Sequence, residues 1–228
     1  KKSLQEISLI LGVDYTTLWR YLAKKDSIPL IVLKRLENLS NKHLSQENWE
    51  FTCGHAKTKV SLPTKIDENL AKIVGAILAD GHLKIRKSKR GYHYELVLRE
   101  EYKLNVDAFA EWFYNVFNLK LNVQKEHNHH YIYCSNKIVV LFLTKIIRIP
   151  SGKKVDIVSI PTIFSKLSNH IKLAVLQGIF MFDGGVDYAT GYVGLTSRSL
   201  SLIEDVHRFL HKVDLKPDYV SKIADKYQ

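Results

Sequence analysis

Two stretches 103 residues apart constrain most of what this chain can fold into. "IVGAILADG" (Ile73–Gly81) and "LQGIFMFDG" (Leu176–Gly184) are apolar runs of helical character, and both stop on an aspartate followed by glycine. With the residues just before them they coincide three times at one offset: Ala71 with Ala174, Gly75 with Gly178, and Asp80 with Asp183. An alanine and a glycine four apart share one face of a helix, and small side chains on that face let another backbone approach closely. Two helices meeting through such faces bring their carboxyl ends, and hence both aspartates, together. A lone Asp-Gly after a helix is usually a turn, and small residues four apart are usually plain packing. The repetition of both features at one offset points instead to function.

The pattern around each run extends the repeat. Helix Ile66 to Ala79 is followed by two runs of strand-like alternation, "GHLKIRK" and "GYHYELVL", and then by the aromatic-rich amphipathic helix "YKLNVDAFAEWFYNVF". A second hairpin, "LKLNVQKE", "HNHH" and "YIYCS", and a closing helix "KIVVLFLTKII" complete the order helix, two strands, helix, two strands, helix. The second copy begins near "HIKLAVLQGIFMF", continues through "GGVDY" and "GYVGLTS", and reaches a helix in "SLSLIEDVHRFLHK". Its next strand candidate is "PDYVSKI", after which no room is left for a final strand and helix, so the second copy reads as incomplete.

Ahead of the repeat, Ser3 to Lys24 show a helix, a break at Gly12 and a second helix, with Leu4, Ile7 and Ile10 or Leu11 at helical spacing in the first. Asp14 is placed to cap the second helix, and Leu18 and Leu22 face inward at i, i+4. The spacing is that of a helix-turn-helix, in which Tyr15, Thr16, Thr17 and Arg20 point outward to meet a major groove. An ordinary helical hairpin has the same short pattern. "IPLIVLKRLENL" supplies a third helix, and the polar, aperiodic "SNKHLSQENWEFTCGHAKTK" reads as a linker. The expected divisions are 1–45 for a helix-turn-helix domain, 46–61 for the linker, 62–150 for the first half and 151–228 for the second.

Composition narrows the partner. With 228 residues and 46% hydrophobic content the chain can build real cores. Lysine and arginine exceed aspartate and glutamate by 34 to 23, a net charge of +11 that favours a polyanion, either nucleic acid or an acidic membrane surface. The apolar runs are too short for a bilayer and are broken by Lys72, Asp80, Gln177 and Asp183, so no membrane span is expected. Cys53 and Cys134 alone cannot make a disulfide framework or a four-thiolate zinc site, and no secretory signal opens the chain. An intracellular, cytoplasmic setting is expected. The absence of an initial methionine points to a piece of something longer.

Taken together, "IVGAILADG" and "LQGIFMFDG" resemble the helix motif of the LAGLIDADG homing endonuclease family, matching it at the glycine in the third place and the aspartate and glycine in the last two. The resemblance runs from about Leu62 to the C-terminus and includes the approaches "SLPTKIDENLA" and "SIPTIFSKLSNHIK". It implies an α+β fold: a pseudo-two-fold pair of αββαββα halves in a monomer, the second incomplete, preceded here by the small all-α module. The family's sixth-place aspartate is Leu78 in one copy and Met181 in the other, and Phe182 stands where the family has an alanine, as at Ala79. The bulk of Phe182 predicts a widened or skewed helix crossing.

Cutting a phosphodiester demands stabilised negative charge on phosphorus, an activated water and help for the leaving oxygen, and divalent metal assists all three. Magnesium is hard and binds through few carboxylates plus waters and phosphate, which suits a pair of aspartates; manganese substitutes. The resemblance implies that Asp80 and Asp183, with carbonyls at Ala79 and Phe182, hold the metal between two scissile phosphates of double-stranded DNA, one aspartate serving each strand. It also implies basic side chains around each centre, for which Lys103 and Arg198 are the candidates. His82, Lys84 and Arg86 alternate and share a strand face suited to a major groove, and Lys87, Lys89 and Arg90 continue the basic run at the hairpin tip. His127, His129 and His130 straddle a hairpin turn without a cysteine at zinc-finger spacing, and a polar turn near DNA is the preferred reading.

Such enzymes occur free-standing, intron-encoded or within inteins; Lys1 and Gln228 are not self-splicing residues. The competing class is a non-catalytic nucleic-acid binder on the same scaffold, either a transcription regulator or an intron RNA maturase. A regulator needs no metal aspartates, so retention of both counts against it.

Overall fold

The computed structural model describes residues 2–40, 49–53, 58–89, 91–153 and 156–217, and the chain divides into two compact units, Lys1–Asn48 and Trp49–Gln228. The smaller unit holds α1 (Leu4–Leu11), α2 (Tyr15–Leu22) and α3 (Leu30–Ser40). Ser3 and Glu6 cap α1 reciprocally, and the helix stops at Gly12, whose φ of 67° is the left-handed conformation that glycine adopts without strain. The Asp14 carboxylate accepts from the Thr17 amide at 3.0 Å and so starts α2 where the sequence placed it. Leu11, Leu18 and Val32 form the core. Leu22, expected inside, is 60% exposed; the residue of α2 that joins Leu18 on this core is Tyr21, three residues on. In α1 the inward residue is Leu11 rather than Ile10.

The larger unit begins inside the stretch read as a linker. Glu50–Phe51 (β1) pairs antiparallel with Val60–Ser61 (β2), and the half-buried Phe51 packs on the main core, so these residues belong to the unit that follows them. The first half of the repeat then follows the expected order: α4 (Glu68–Ala79), β3 (His82–Ser88), β4 (Gly91–Glu100), α5 (Lys103–Phe117), β5 (Val123–Glu126), β6 (His129–Cys134) and α6 (Lys137–Leu141). Its four strands form one antiparallel sheet in the order β3-β4-β6-β5. The closing helix is regular only to Leu141 and continues as a π-helical turn, Phe142–Ile146, where the Thr144 hydroxyl donates to the Val140 carbonyl at 2.8 Å and competes with the backbone.

In the second half a 3₁₀ turn (Thr162–Lys166) leads to α7 (Asn169–Asp183), the short strands β7 (Gly184–Asp187) and β8 (Tyr192–Leu195), and α8 (Leu200–Lys212). The further strand candidate "PDYVSKI" lies outside the described residues beyond Pro217.

From Leu70 to Leu78 every residue of α4 but Lys72 is apolar, because every one but Lys72 is buried. Leu70, Ile73, Val74, Ile77 and Leu78 are at most 1% exposed, and the core they share includes Leu83, Leu96, Leu98 and Ile132 of the sheet and Phe109, Phe113 and Phe117 of α5. Each such side chain stabilises by about 1.5–3 kcal/mol relative to exposure, so this core far outweighs the three-residue core of the smaller unit. Among the described residues no helix is long and apolar enough to cross a membrane.

Candidate active site

The repeated helices α4 and α7 pack directly on each other, and the two glycines set how closely. A Cβ on Gly75 would stand 2.2 Å from the Val175 carbonyl oxygen and 2.9 Å from the Ile179 nitrogen; one on Gly178 would stand 2.2 Å from the Lys72 oxygen and 2.9 Å from the Ala76 nitrogen. No side chain fits at either place, so backbone rests on backbone. The clearances are equal from both sides, so the expected widening of the crossing is absent. Phe182 does not enter the seam: it turns to α5, where its ring meets Phe109 edge-on at 6.3 Å.

The direction of the two helices follows from a second contact. His170 in the first turn of α7 donates to Glu68 in the first turn of α4 at 2.6 Å, and this bond holds the Glu68 carboxyl below its ordinary pKa. With their amino ends tied and their glycines touching, the helices run the same way. Each aspartate lies five residues beyond its glycine, about 7.5 Å of helix rise, so both leave the seam at the same end. Asp80 is the exposed C-cap of α4, and Asp183 is the half-buried last residue of α7.

The residue after each aspartate must be glycine for a steric reason. A Cβ at Gly81 would lie 2.5 Å from Ile77 Cα, and one at Gly184 would lie 2.3 Å from the Phe180 oxygen. The chain therefore folds back across the last helical turn and enters a strand at once, β3 after Asp80 and β7 after Asp183. Asn105 of α5, a residue sequence reading missed, donates from Nδ2 to the Met181 carbonyl at 2.9 Å and fixes the end of α7 two residues before Asp183. Nothing local in the sequence signals that bond, because it links residues 76 apart.

A carboxylate at the negative end of a helix dipole attracts a cation, and Asp80 and Asp183 each stand at such an end. The donors are carboxylate and carbonyl oxygens, so the set fits a hard divalent ion such as magnesium or manganese. Among the described residues no three His, Cys, Asp or Glu side chains are gathered as a metal cluster. His129 and His130 follow one another in β6 and so project to opposite faces of the sheet, while His127 sits in the turn with φ 52°.

The sheet carries the strand candidates as the alternation requires. His82, Lys84 and Arg86 share one face, paired across to Val97, Glu95 and His93, and Arg86 is bonded to Glu95. The register continues that face to Arg99, Tyr131 and Tyr133, with Arg99 3.5 Å from Glu126 and the Tyr131 hydroxyl donating to Gln124. His93, Arg99, Tyr131 and Tyr133 were legible in the same alternation of "GYHYELVLRE" and "YIYC". Lys87 lies opposite Tyr92 on the other face, Lys89 is exposed in the turn, and Arg90 lies outside the described residues.

Lys103 and Arg198 are both exposed and ion-paired. Lys103 meets Asp107 at 2.5 Å one turn along α5, while Asn105 and Phe109, on the opposite side of that helix, face α7. Arg198 precedes α8 and lies 3.4 Å from Asp156. In the smaller unit Tyr15, Thr16 and Arg20 are exposed and Thr17 is half-buried. Both threonine hydroxyls donate to Asp14, which holds that carboxyl far below its ordinary pKa, and Arg20 pairs with Asp26 through two nitrogens, at 2.6 and 3.0 Å.

The structure superposes on that titled "The crystal structure of I-DmoI in complex with DNA and Mn" with a TM-score of 0.50 and 16% sequence identity, over 65% of this chain and 79% of that one. The fold is I-DmoI-like. Mesophilic variants from the homing endonuclease I-DmoI align equally well, with a TM-score of 0.50 and 18% identity over 65% of this chain and 78% of theirs. In sequence, 174 residues are 25% identical to glutamine–fructose-6-phosphate aminotransferase [isomerizing] of Methanocaldococcus jannaschii. That match covers 75% of this chain, and the chain spans 15% of the relative's length. No family model matches the chain.

Proposed function

We propose that the chain is a site-specific, divalent-metal-dependent DNA endonuclease of the homing type, in which Asp80 and Asp183 are the acidic ligands. The observation that carries this reading is the pair of helices that touch through Gly75 and Gly178, run in one direction and both stop on Asp-Gly. The net charge of +11 and the polar sheet face beside Asp80 support a DNA duplex as substrate. The I-DmoI likeness supports it further, since that protein's structure holds DNA and Mn.

In this reading Asp80 and Asp183, with carbonyls of the last helical turns including Ala79 and Phe182, would hold magnesium, or manganese in its place. When bound, the ions supply Lewis-acid stabilisation of the phosphoryl charge and lower the pKa of an attacking water. The chain's own residues do the rest. Each aspartate orients one centre, and the glycine seam keeps the two centres at a fixed spacing, so one monomer addresses both strands. His82, Lys84 and Arg86, joined by His93, Arg99, Tyr131 and Tyr133, read a major groove, while Lys87, Lys89 and Arg90 contact phosphates. Lys103 and Arg198 are the outer cations. Their exposed pairs with Asp107 and Asp156 are weak enough to be exchanged for phosphate.

The smaller unit extends the footprint as a helix-turn-helix through Tyr15, Thr16, Thr17 and Arg20. Contact by the threonine hydroxyls requires them to leave Asp14, as contact by Arg20 requires it to leave Asp26. A match confined to 15% of a much longer enzyme supports an element lodged inside a host protein, as an intein is, acting on intracellular DNA.

The test is cleavage of a randomised duplex pool, with the cut ends sequenced. The expected result is double-strand breaks at one long site with magnesium or manganese and none with chelator. Duplexes retained by the protein but left intact in both metals would replace this reading with that of a non-catalytic binder.

A further inference from the structure

The exposed side of α8 carries a second constellation that the nuclease reading does not use. His207 and His211 lie one turn apart with their Nε2 atoms 3.3 Å from each other, ring centroids 4.5 Å apart and planes inclined at 72°. His207 is half-buried and His211 exposed. Two imidazole nitrogens each about 2.0–2.1 Å from one ion, at a tetrahedral angle, stand about 3.3 Å apart, so the pair already has the bite of a chelate. The helix supplies that spacing through its backbone, and no loop has to be ordered to form it.

We propose that His207 and His211 form a bidentate site for a borderline first-row transition ion, with Cu²⁺ bound most tightly and Ni²⁺ and Zn²⁺ after it, independent of Asp80 and Asp183. Without metal the same distance is an imidazole-to-imidazole hydrogen bond, in which one ring donates N–H to the bare nitrogen of the other. Binding takes both Nε2 lone pairs, and the donor ring stays neutral because its proton moves from Nε2 to Nδ1. Hard magnesium, which prefers oxygen, is not taken.

The surroundings fit an open, exchangeable site. Glu204, exposed and three residues before His207, lies on the same side of the helix, whereas Arg208 is drawn to Asp205 at 2.9 Å. Among the described residues no third His, Cys, Asp or Glu joins the two rings in a cluster. The clamp spans the last turns of α8, whose other side buries Leu202, Val206 and Phe209. Metal therefore stabilises this helix in place, and the folded chain with it, by mass action.

The test uses the whole chain freed of metal by chelator, titrated with Cu²⁺ and separately with Zn²⁺ near neutral pH by calorimetry, with low-temperature electron paramagnetic resonance on the sample holding one equivalent of Cu²⁺. The expected spectrum shows two imidazole nitrogens on the ion, and His207→Ala and His211→Ala each weaken that equivalent by about tenfold or more. Asp80→Asn, Asp183→Asn, His127→Ala and His130→Ala leave it unchanged. A spectrum with one nitrogen, or unchanged affinity in both His207→Ala and His211→Ala, overturns the proposal. Neither outcome bears on the nuclease reading, which is tested with magnesium.

Discussion

After Asp80 the chain enters strands of seven and ten residues in a four-stranded sheet, whereas after Asp183 the described strands are four residues each and form a two-stranded ribbon. The helices before the aspartates differ far less, since both are held at equal clearance by a glycine. The difference teaches that two physical rules act on one repeat. Helix contact is decided by two missing side chains and survives divergence around them. A sheet needs an apolar inner face: Leu83, Leu96 and Leu98 are at most 1% exposed, while all four residues of β7 are exposed. Among the described residues the Asp-Gly helix ends are duplicated, while the strands that follow them are not.

The comparison breaks most readily at the seam. Gly75→Val and Gly178→Val are expected to destabilise the larger unit by about 3 kcal/mol or more, and by similar amounts, in urea unfolding. Even alanine sets its methyl 2.2 Å from a carbonyl oxygen, a clash that outweighs the roughly 1 kcal/mol alanine gains in helix propensity. Sensitivity at one glycine alone would show that the halves do not share the contact. A smaller contrast separates the sheets: Leu96→Ala costs about 2–5 kcal/mol by the same measurement, while Val193→Ala, on the exposed ribbon, stays within about 0.5 kcal/mol. Equal losses would mean that β8 is covered as β4 is.

Next come the outer cations. Lys103→Ala and Arg198→Ala should leave stability within about 0.5 kcal/mol and slow cleavage in kinetic assays; unaltered rates would remove them from the mechanism. The smallest effect is at the amino ends of the helices. Glu68 has a pKa depressed from 4.5 chiefly by its bond with His170, so its contribution is present above that value and is lost as pH falls through the depressed one. Glu68→Gln should therefore lower the melting temperature slightly near neutral pH and not at all in strong acid, as thermal scans across pH would show.

The sequence made the seam legible because glycine, alanine and aspartate recur at one offset, and the order of the first half because its periodicities change cleanly from helical to alternating. Asp14 was legible because capping is local. What escaped was set by tertiary contact. Leu22 fits the helical period as well as Tyr21 does, and only the packing of the three helices decides between them. The direction of Phe182 depends on Phe109, and the bond from Asn105 to Met181 joins two halves of the chain. β1 is two residues inside a polar stretch, too short for any period to show. The π-helical turn at Phe142–Ile146 arises where a threonine hydroxyl meets a carbonyl four residues back, which composition does not register.

The central claim is that Asp80 and Asp183 act jointly at one end of the seam, each serving one strand. Its most direct test is strand-resolved cleavage of an end-labelled target duplex in magnesium by the parent chain, Asp80→Asn, Asp183→Asn and the double variant, with duplex binding measured alongside. The account predicts cuts in both strands by the parent, loss of double-strand cutting in each single variant, and no cutting by the double variant, while all four bind the duplex with similar affinity. Double-strand cutting by the double variant at the parent's rate would contradict it.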